Sequence, residues 1–152
     1  MEVRRWKVFL DTSALIAGIV STTGAAREVL QLCEAGVVEP LVSRQVLTEA
    51  DRNLSDKLPV LVQDYRSFIQ RMSPTLVDEP SKKAVGEAAQ VIHHKDAPIL
   101  AAAIGGEADY LITWNTKHFH KPSVMTTVCF KIMTPGEFLK EFRRFLTLSS
   151  VG

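Results

Sequence analysis

Short apolar runs alternate with helical segments along this chain, and the alternation constrains the fold more than any other feature. Each run ends at a polar or turn-forming residue, as buried strands do. Parallel strands need crossover connections, usually helices, that cover the sheet. We therefore expect an α/β domain with a central parallel sheet of four to five strands and helices on both faces. The predicted strands are 7–10, 40–42, 75–77, 110–113 and 128–132.

Local signals mark where several helices begin and end. Helical periodicity covers 14–20, 25–33, 59–72, 81–91 and 98–104. Ser43 can cap a helix that runs to Leu54, and Gly36 can stop the helix before it. Thr134, Pro135 and Glu137 form a capping box, which predicts a C-terminal helix.

The length and composition predict one compact domain. The chain has 152 residues, 46% of them apolar, and a formal net charge of +1. These values are typical of a globular domain and identify no partner by charge. We expect a single domain over 1–147 and a frayed tail over 148–152.

The cysteines and the apolar segments favour a cytoplasmic protein. Cys33 and Cys129 lie far apart and have no metal-ligand spacing, which predicts two buried thiols in a reducing compartment. The N-terminal apolar segment is interrupted by Asp11, so a signal peptide is not expected. No apolar run approaches the roughly 20 residues of a membrane span.

Asp11 directly follows the first predicted strand, where a carboxylate cannot be buried unpaired without a large energetic cost. We expect it to face a cleft at the carboxyl ends of the strands, where ligands bind in such sheets. The hydroxyls of Thr12 and Ser13 could orient it or hold a water. The alternative is a turn-forming or helix-capping aspartate.

Three further oxygen-bearing side chains are candidates for the same cleft. Glu49 lies on a predicted helix and, taken alone, is more typical of a solvated charge. Asp96 precedes an alanine-rich helix and could cap it, bind a cation, or do both. Asn115 follows the strand 110–113 and could equally be a turn residue.

Oxygen ligands from separate elements are the kind of site that a hard divalent cation requires. Such a cation can activate water and offset the charge of a reacting phosphate. Zinc is not expected, because the histidines show no paired spacing with cysteine. The histidines are His93, His94, His118 and His120.

Several segments together resemble the PIN domain family, in particular its stand-alone prokaryotic members, which include the VapC-like toxins. They are KVFLDTSALI at 7–16, VSRQVLTEA at 42–50, KDAPILAAAI at 95–104, ADYLITWNTKHF at 108–119 and IMTPGEFL at 132–139. The resemblance implies a Rossmann-like parallel sheet, Mg²⁺ or Mn²⁺, and endonucleolytic cleavage of nucleic acid, more commonly RNA than DNA. It also implies a homodimer. It leaves open a role as the toxin of a toxin–antitoxin pair with an antitoxin protein as partner.

The resemblance assigns site residues position by position. The family's first three acidic positions fall on Asp11, Glu49 and Asp96, which are the expected metal ligands. Its fourth acidic position falls on Asn115, a departure that predicts one tight metal and at most one weak one. These residues are the expected catalytic set, and Thr12, Ser13 and Thr113 are the expected auxiliary residues.

Substrate contacts are predicted around the same cleft. Lys95, Lys117 and His118 could hold phosphates, with His120 and Lys121 nearby, although solvated loop charge is an equal alternative. Trp114 could stack on a base, but a core position is the commoner role for such a tryptophan. Asp109 precedes its strand and should lie at the wrong end of the sheet.

Other functions fit less well. A phosphotransferase of the haloacid-dehalogenase type needs a second aspartate where Ser13 stands, and a receiver domain needs further acidic residues before its phosphorylated aspartate. A PIN-like module that binds nucleic acid or protein without cutting remains the main alternative, with Asn115 as its sign.

Overall fold

The computed structural model describes residues 4–151 and contains a five-stranded, all-parallel sheet in the order β3-β2-β1-β4-β5. This confirms the predicted α/β class and the parallel sheet. The predicted strand 128–132 starts later than expected. The strands are β1 Lys7–Leu10, β2 Glu39–Val42, β3 Thr75–Leu76, β4 Tyr110–Ile112 and β5 Lys131–Met133.

Helices connect the strands and surround the sheet. They are α1 Thr12–Val20, α2 Ala25–Glu34, α3 Arg44–Lys57, α4 Val62–Met72, α5 Lys82–Ala88, α6 Ala97–Gly105, α7 Thr116–Phe119, α8 Pro122–Met125 and α9 Pro135–Val151, with a 3-10 turn at Pro59–Leu61. The short helices α7 and α8 were not predicted, because four residues carry too little periodicity to be recognised. The predicted helix 81–91 ends at Ala88, where turns replace it.

The strand order reverses at β1, and this reversal places the functional cleft. From β1 the chain builds β2 and β3 on one side and then returns to add β4 and β5 on the other. In the register, Phe9 lies between Leu41 and Leu111. Loops that leave β1 and β4 therefore diverge at the carboxyl edge, which opens a crevice between them.

The core is made of the central strands and the helices packed on them. Val8, Phe9 and Leu10 are fully buried. Helix α1 approaches α2 so closely that a Cβ on Gly18 would lie 2.4 Å from the Cδ1 of Leu30. Glycine is required there because a larger residue would push the two helices apart.

The predicted caps form. The Ser43 hydroxyl accepts from the backbone N–H of Val46 at 3.2 Å. At the start of α9, Thr134 N–H donates to Glu137 Oε1 at 2.9 Å and Glu137 N–H donates to Thr134 Oγ1 at 3.2 Å. Gly36 follows α2 with a φ of +77°, the left-handed conformation that ends a helix.

Helix α9 continues past residue 147 to Val151, so the described part of the segment expected to be a frayed tail is helical. Residue 152 lies outside the described residues. Within residues 4–151, no helix has the length and apolar character needed to cross a membrane.

The two cysteines have different environments. Cys33 is buried on α2, and burial raises the pKa of its thiol to about 12. Cys129 is exposed in the loop before β5. The prediction of two buried thiols is therefore wrong for Cys129, because the last strand begins only at Lys131 and leaves this loop on the surface.

Candidate active site

A cleft of about 300 Å³ opens at the carboxyl ends of β1 and β4. It brings together the four predicted oxygen-bearing side chains from four separate segments. Asn53, one helical turn after Glu49, also lines the cleft, and only its spacing on α3 could have indicated this from the sequence. The polar lining is Asp11, Thr12, Ser13, Glu49, Asn53, Lys95, Asp96 and Asn115, with Ile16, Ile99 and Phe119 as apolar walls.

Asp11 is only 5% exposed and is held by three donors. Its Oδ1 accepts from Ala14 N–H at 2.9 Å and from the Ser13 hydroxyl at 2.7 Å, and its Oδ2 accepts from the Thr113 hydroxyl. Burial raises the pKa of Asp11 above its ordinary 3.8, and this outweighs the hydrogen bonds, which lower it. Asp11 is both a helix cap and a cleft residue, so the two roles predicted for it are compatible.

The turns after β1 and β4 are tied together beneath the cleft. Thr113 is fully buried, and its hydroxyl oxygen also accepts from Asn115 N–H at 2.8 Å. The Ser13 hydroxyl oxygen accepts from Trp114 N–H at 3.0 Å. The two hydroxyls therefore fix the carboxylate of Asp11 and the loop that carries Asn115 as one unit.

Glu49 reaches the cleft from α3 and is half-buried. Its Oε2 accepts from the Thr12 hydroxyl at 3.0 Å, and its Oε1 accepts from Gln45 Nε2 at 2.8 Å. Thr12 therefore orients Glu49, while Ser13 orients Asp11. The sequence placed both hydroxyls beside the site but could not divide them between two carboxylates.

Asp96 does not cap α6 with its side chain, so that part of the prediction is wrong. Its Oδ2 instead contacts His118 Nδ1 at 2.8 Å. Asn115 Nδ2 lies 3.1 Å from the same Nδ1. His118 therefore lies between Asp96 and Asn115, the residue that replaces the family's fourth acidic position.

The predicted substrate-contacting residues fall in different places. Lys95 lines the cleft, and His118 lies at its margin through its contact with Asp96. Lys117 is exposed on α7 and is not part of the lining. His120 has a structural contact, since its Nε2 donates to Ile132 O at 2.7 Å. Lys121 precedes α8, away from the lining.

Two further predictions concern Trp114 and Asp109. Trp114 is 50% exposed, so the core alternative is wrong; the strand ends two residues earlier and leaves this side chain on the surface, next in sequence to the cleft residue Asn115. Asp109 accepts from Lys7 N–H at 2.7 Å and pairs with Arg4 at 2.8 Å. It therefore lies at the opposite edge of the sheet, as expected.

The donor chemistry of the cleft fits an oxygen-preferring cation. Carboxylate, amide and hydroxyl oxygens converge on one opening, and Asp11 has no ion pair with a described residue although it is buried. Within residues 4–151, however, no three acidic, histidine or cysteine side chains are arranged to hold one ion. Glu49 and Asp96 instead accept hydrogen bonds from Gln45, Thr12 and His118, which a cation would have to replace in part.

Comparison with known proteins gives one family and several similar folds. The sequence model of the PIN domain matches residues 7–117. A comparison with curated proteins gives no match.

Three solved structures are similar to this fold. VapBC from Salmonella typhimurium, solved bound to DNA, gives a TM-score of 0.64 at 19% identity, over 86% of this chain and 98% of that one. VapBC2 from Rickettsia felis, solved bound to a DNA fragment from its promoter, gives a TM-score of 0.63 at 20% identity, over 84% of this chain and 98% of that one. A protein from Pyrobaculum aerophilum gives a TM-score of 0.58 at 15% identity, over 89% of this chain and 94% of that one.

Proposed function

We propose that this chain, which belongs to the PIN domain family, is a metal-dependent endonuclease. Members of this family are generally nucleases. The proposed enzyme hydrolyses phosphodiester bonds in RNA in preference to those in DNA. One observation carries the proposal. Asp11, Glu49, Asp96 and Asn115 come from four distant segments and line one cleft, and the buried Asp11 has no cationic partner among the described residues. A cleft that gathers like charges in this way gains stability from a cation.

Asp11, Glu49 and Asp96 are not arranged around one point in the described structure, and they would hold Mg²⁺ or Mn²⁺ only once the ion replaces part of the hydrogen bonding of Glu49 and Asp96. When bound, such an ion lowers the pKa of a coordinated water and offsets charge on the phosphate. The protein's own contribution is orientation: Ser13 and Thr113 fix Asp11, Thr12 fixes Glu49, and His118 fixes Asp96. Because Asn115 is neutral, we expect one tight ion and at most one weak one.

Contacts to the nucleic acid come from the margin of the cleft. Lys95 lies in the lining and can pair with a phosphate, and Lys117 on α7 can approach a neighbouring one. The exposed indole of Trp114 can stack on an unpaired base. Affinity should fall as salt rises, because phosphate contacts release counterions.

We further propose that the chain acts in the cytoplasm as the toxin of a toxin–antitoxin pair, bound by an antitoxin protein, and that it forms a homodimer. The support is the similarity of its fold to two VapBC structures, both solved with DNA. Co-expression with the product of an adjacent gene, followed by purification and light scattering, tests both. A monomer that retains no co-expressed protein would contradict this part.

Cleavage assays test the enzymatic proposal. Purified protein is incubated with single-stranded RNA or DNA in Mg²⁺, Mn²⁺ or chelator. Cleavage should need a metal and be lost in Asp11→Asn and Asp96→Asn. The matched control is Asp56→Asn, which changes the same charge at an exposed position of α3 outside the cleft. Cleavage by Asp11→Asn at the wild-type rate would remove Asp11 from the mechanism.

A binding module that does not cut is the second candidate, and the observation that favours it is the neutral Asn115 at the fourth position. Metal titration separates the two. A wild-type protein that binds RNA but cuts in neither metal, at any concentration tested, would support the binding module.

A further inference from the structure

A second and larger cavity, of about 460 Å³, lies beside the acidic cleft. Its walls come from the start of α3, the segment that follows β3, and residues of α5 and α6. Since β2 ends at Val42 and β3 at Leu76, the cavity opens at the same carboxyl edge of the sheet as the cleft. Its volume is in the range of small-molecule binding sites.

Gln45 connects the two sites. Its side chain lines the larger cavity, and its Nε2 donates to Glu49 Oε1 at 2.8 Å. Residues four apart on a helix lie about 6 Å apart along its axis. Pro98, two positions after Asp96, also lines the cavity. A strand whose phosphate lies at the acidic cleft can therefore place a neighbouring nucleotide in this cavity.

The lining distinguishes between parts of a nucleotide. Apolar walls come from Val77, Pro80 and Val85, while the carboxylates of Asp78 and Glu79 are exposed at the cavity. Neither carboxylate makes a hydrogen bond or ion pair with another residue between 4 and 151. A phosphate would be repelled by the two acids, whereas a base offers apolar faces and a polar edge.

The acids also favour certain bases. A carboxylate is an acceptor only, so it pairs with the N–H groups of a base edge and opposes carbonyl oxygens. Carboxylates accept from the amino group of cytosine, for example. Uracil has two carbonyls and no amino group. Arg44, exposed at the cavity, can stack on a base or pair with the backbone phosphate.

We propose that this cavity is a nucleobase subsite that holds an amino-bearing base next to the scissile phosphate, with Asp78 and Glu79 as the residues that select it. The inference rests on the proposed nuclease function, because the strand must cross the acidic cleft to reach it. It assigns base selection to residues outside the acidic cleft.

The test measures binding of short single-stranded oligonucleotides of cytidine or uridine, by fluorescence anisotropy in chelator so that nothing is cut. The wild type should bind the cytidine strand about tenfold more tightly, the scale of a good carboxylate–base contact. In the double variant D78N/E79Q, the preference should fall towards one, because the cytidine strand loses the carboxylate contact while the uridine strand is no longer opposed by the two acids.

Two further variants sharpen the test. The matched control D64N/E87Q removes the same charge at exposed positions of α4 and α5 that line neither cavity, and it should keep the cytidine preference. Val85→Phe fills the cavity and should lower cytidine binding to the uridine level. Melting curves check that each variant is folded. If Val85→Phe does not fold, the result for D78N/E79Q, whose substitutions are at exposed positions, decides the test.

The outcomes separate the subsite from the nuclease. Equal affinity of the wild type for both strands, no binding of either, or an unchanged preference in D78N/E79Q would overturn the subsite. Cleavage is measured on the same preparations with Mn²⁺ added. Metal-dependent cutting without base preference leaves the nuclease and removes the subsite, whereas base preference without cutting leaves the subsite and removes the nuclease.

Discussion

Replacing Asp11 by asparagine should separate activity from stability. The side chain is buried, caps α1 and accepts three hydrogen bonds, yet its charge has no ion-pair partner among the described residues. Asparagine keeps an oxygen for Ala14 N–H and Ser13 but removes the charge. Cleavage should fall by about 100-fold or more, the scale on which loss of one electrostatic contact to a reacting group acts. Stability in chelator should not fall.

Asp11→Ala measures how much the hydrogen bonds to this side chain contribute to stability. It loses the cap, which costs about 1 kcal/mol, and the acceptor of the Ser13 hydroxyl, which costs about 1 kcal/mol more. Both variants lack the charge, so their difference of roughly 2 kcal/mol reports the hydrogen bonds alone. For a chain of this size it corresponds to a melting difference of about 4–8 °C. Urea titration and thermal melting, followed by circular dichroism, measure it.

The pH dependence has a defined sign. Because the pKa of Asp11 is raised in the folded state, the folded protein keeps a proton that the unfolded chain has lost. The contribution of Asp11 to stability therefore falls as pH rises from about its ordinary value of 3.8 through the folded pKa. Relative to Asp11→Asn, the wild type should lose stability over this window.

The reasoning is refuted by either of two results in chelator. One is a wild type that gains stability relative to Asp11→Asn as pH rises. The other is an asparagine variant that melts at or below the alanine variant. The first would mean that the buried carboxylate is stabilised by a charge partner, and the second that the hydrogen bonds to Asp11 contribute nothing.

Three other predictions follow from packing and exposure. Gly18→Ala should destabilise the protein by about 1–3 kcal/mol in urea titrations, because its Cβ would overlap α2. A Cβ on Gly86 would meet no atom within 4 Å, so Gly86→Ala should stabilise the protein by about 0.5–1 kcal/mol. Equal changes in the free energy of unfolding for the two variants would contradict the packing argument. In the native protein a thiol reagent should label Cys129 alone, and Cys33 only after unfolding; native labelling of both would contradict the burial. Trp114→Ala should weaken single-strand binding about fivefold or more without lowering the melting temperature, whereas unchanged affinity would exclude stacking.

Much of the fold follows from interactions between residues close in sequence. The apolar run before Asp11 forms a buried strand, Ser43 caps its helix, and Thr134 with Glu137 closes a capping box. Such signals depend on neighbours within a few positions, so they survive any tertiary arrangement. Boundaries were less predictable, as the late start of β5 and the length of α9 show.

The grouping of the four predicted oxygen ligands was also accessible from the sequence. In a parallel sheet the strands end at one edge, so residues that follow β1 and β4 meet there whatever the helices do. Asp11 and Asn115 follow this rule. Glu49 lies on a helix and Asp96 directly precedes one, and both required the family resemblance, because a single acidic residue in or before a helix carries no positional information of its own.

The sequence by itself determined the alternation of strands and helices, the caps, and the edge of the sheet where polar side chains gather. Only the tertiary structure decided how those side chains are paired: Thr113 with Asp11, His118 with Asp96, and Thr12 with Glu49. The physical reason is range. A strand or a cap is stabilised by neighbours along the chain, whereas Asp11 and Thr113 lie 102 positions apart and meet only because β1 and β4 are adjacent in the sheet.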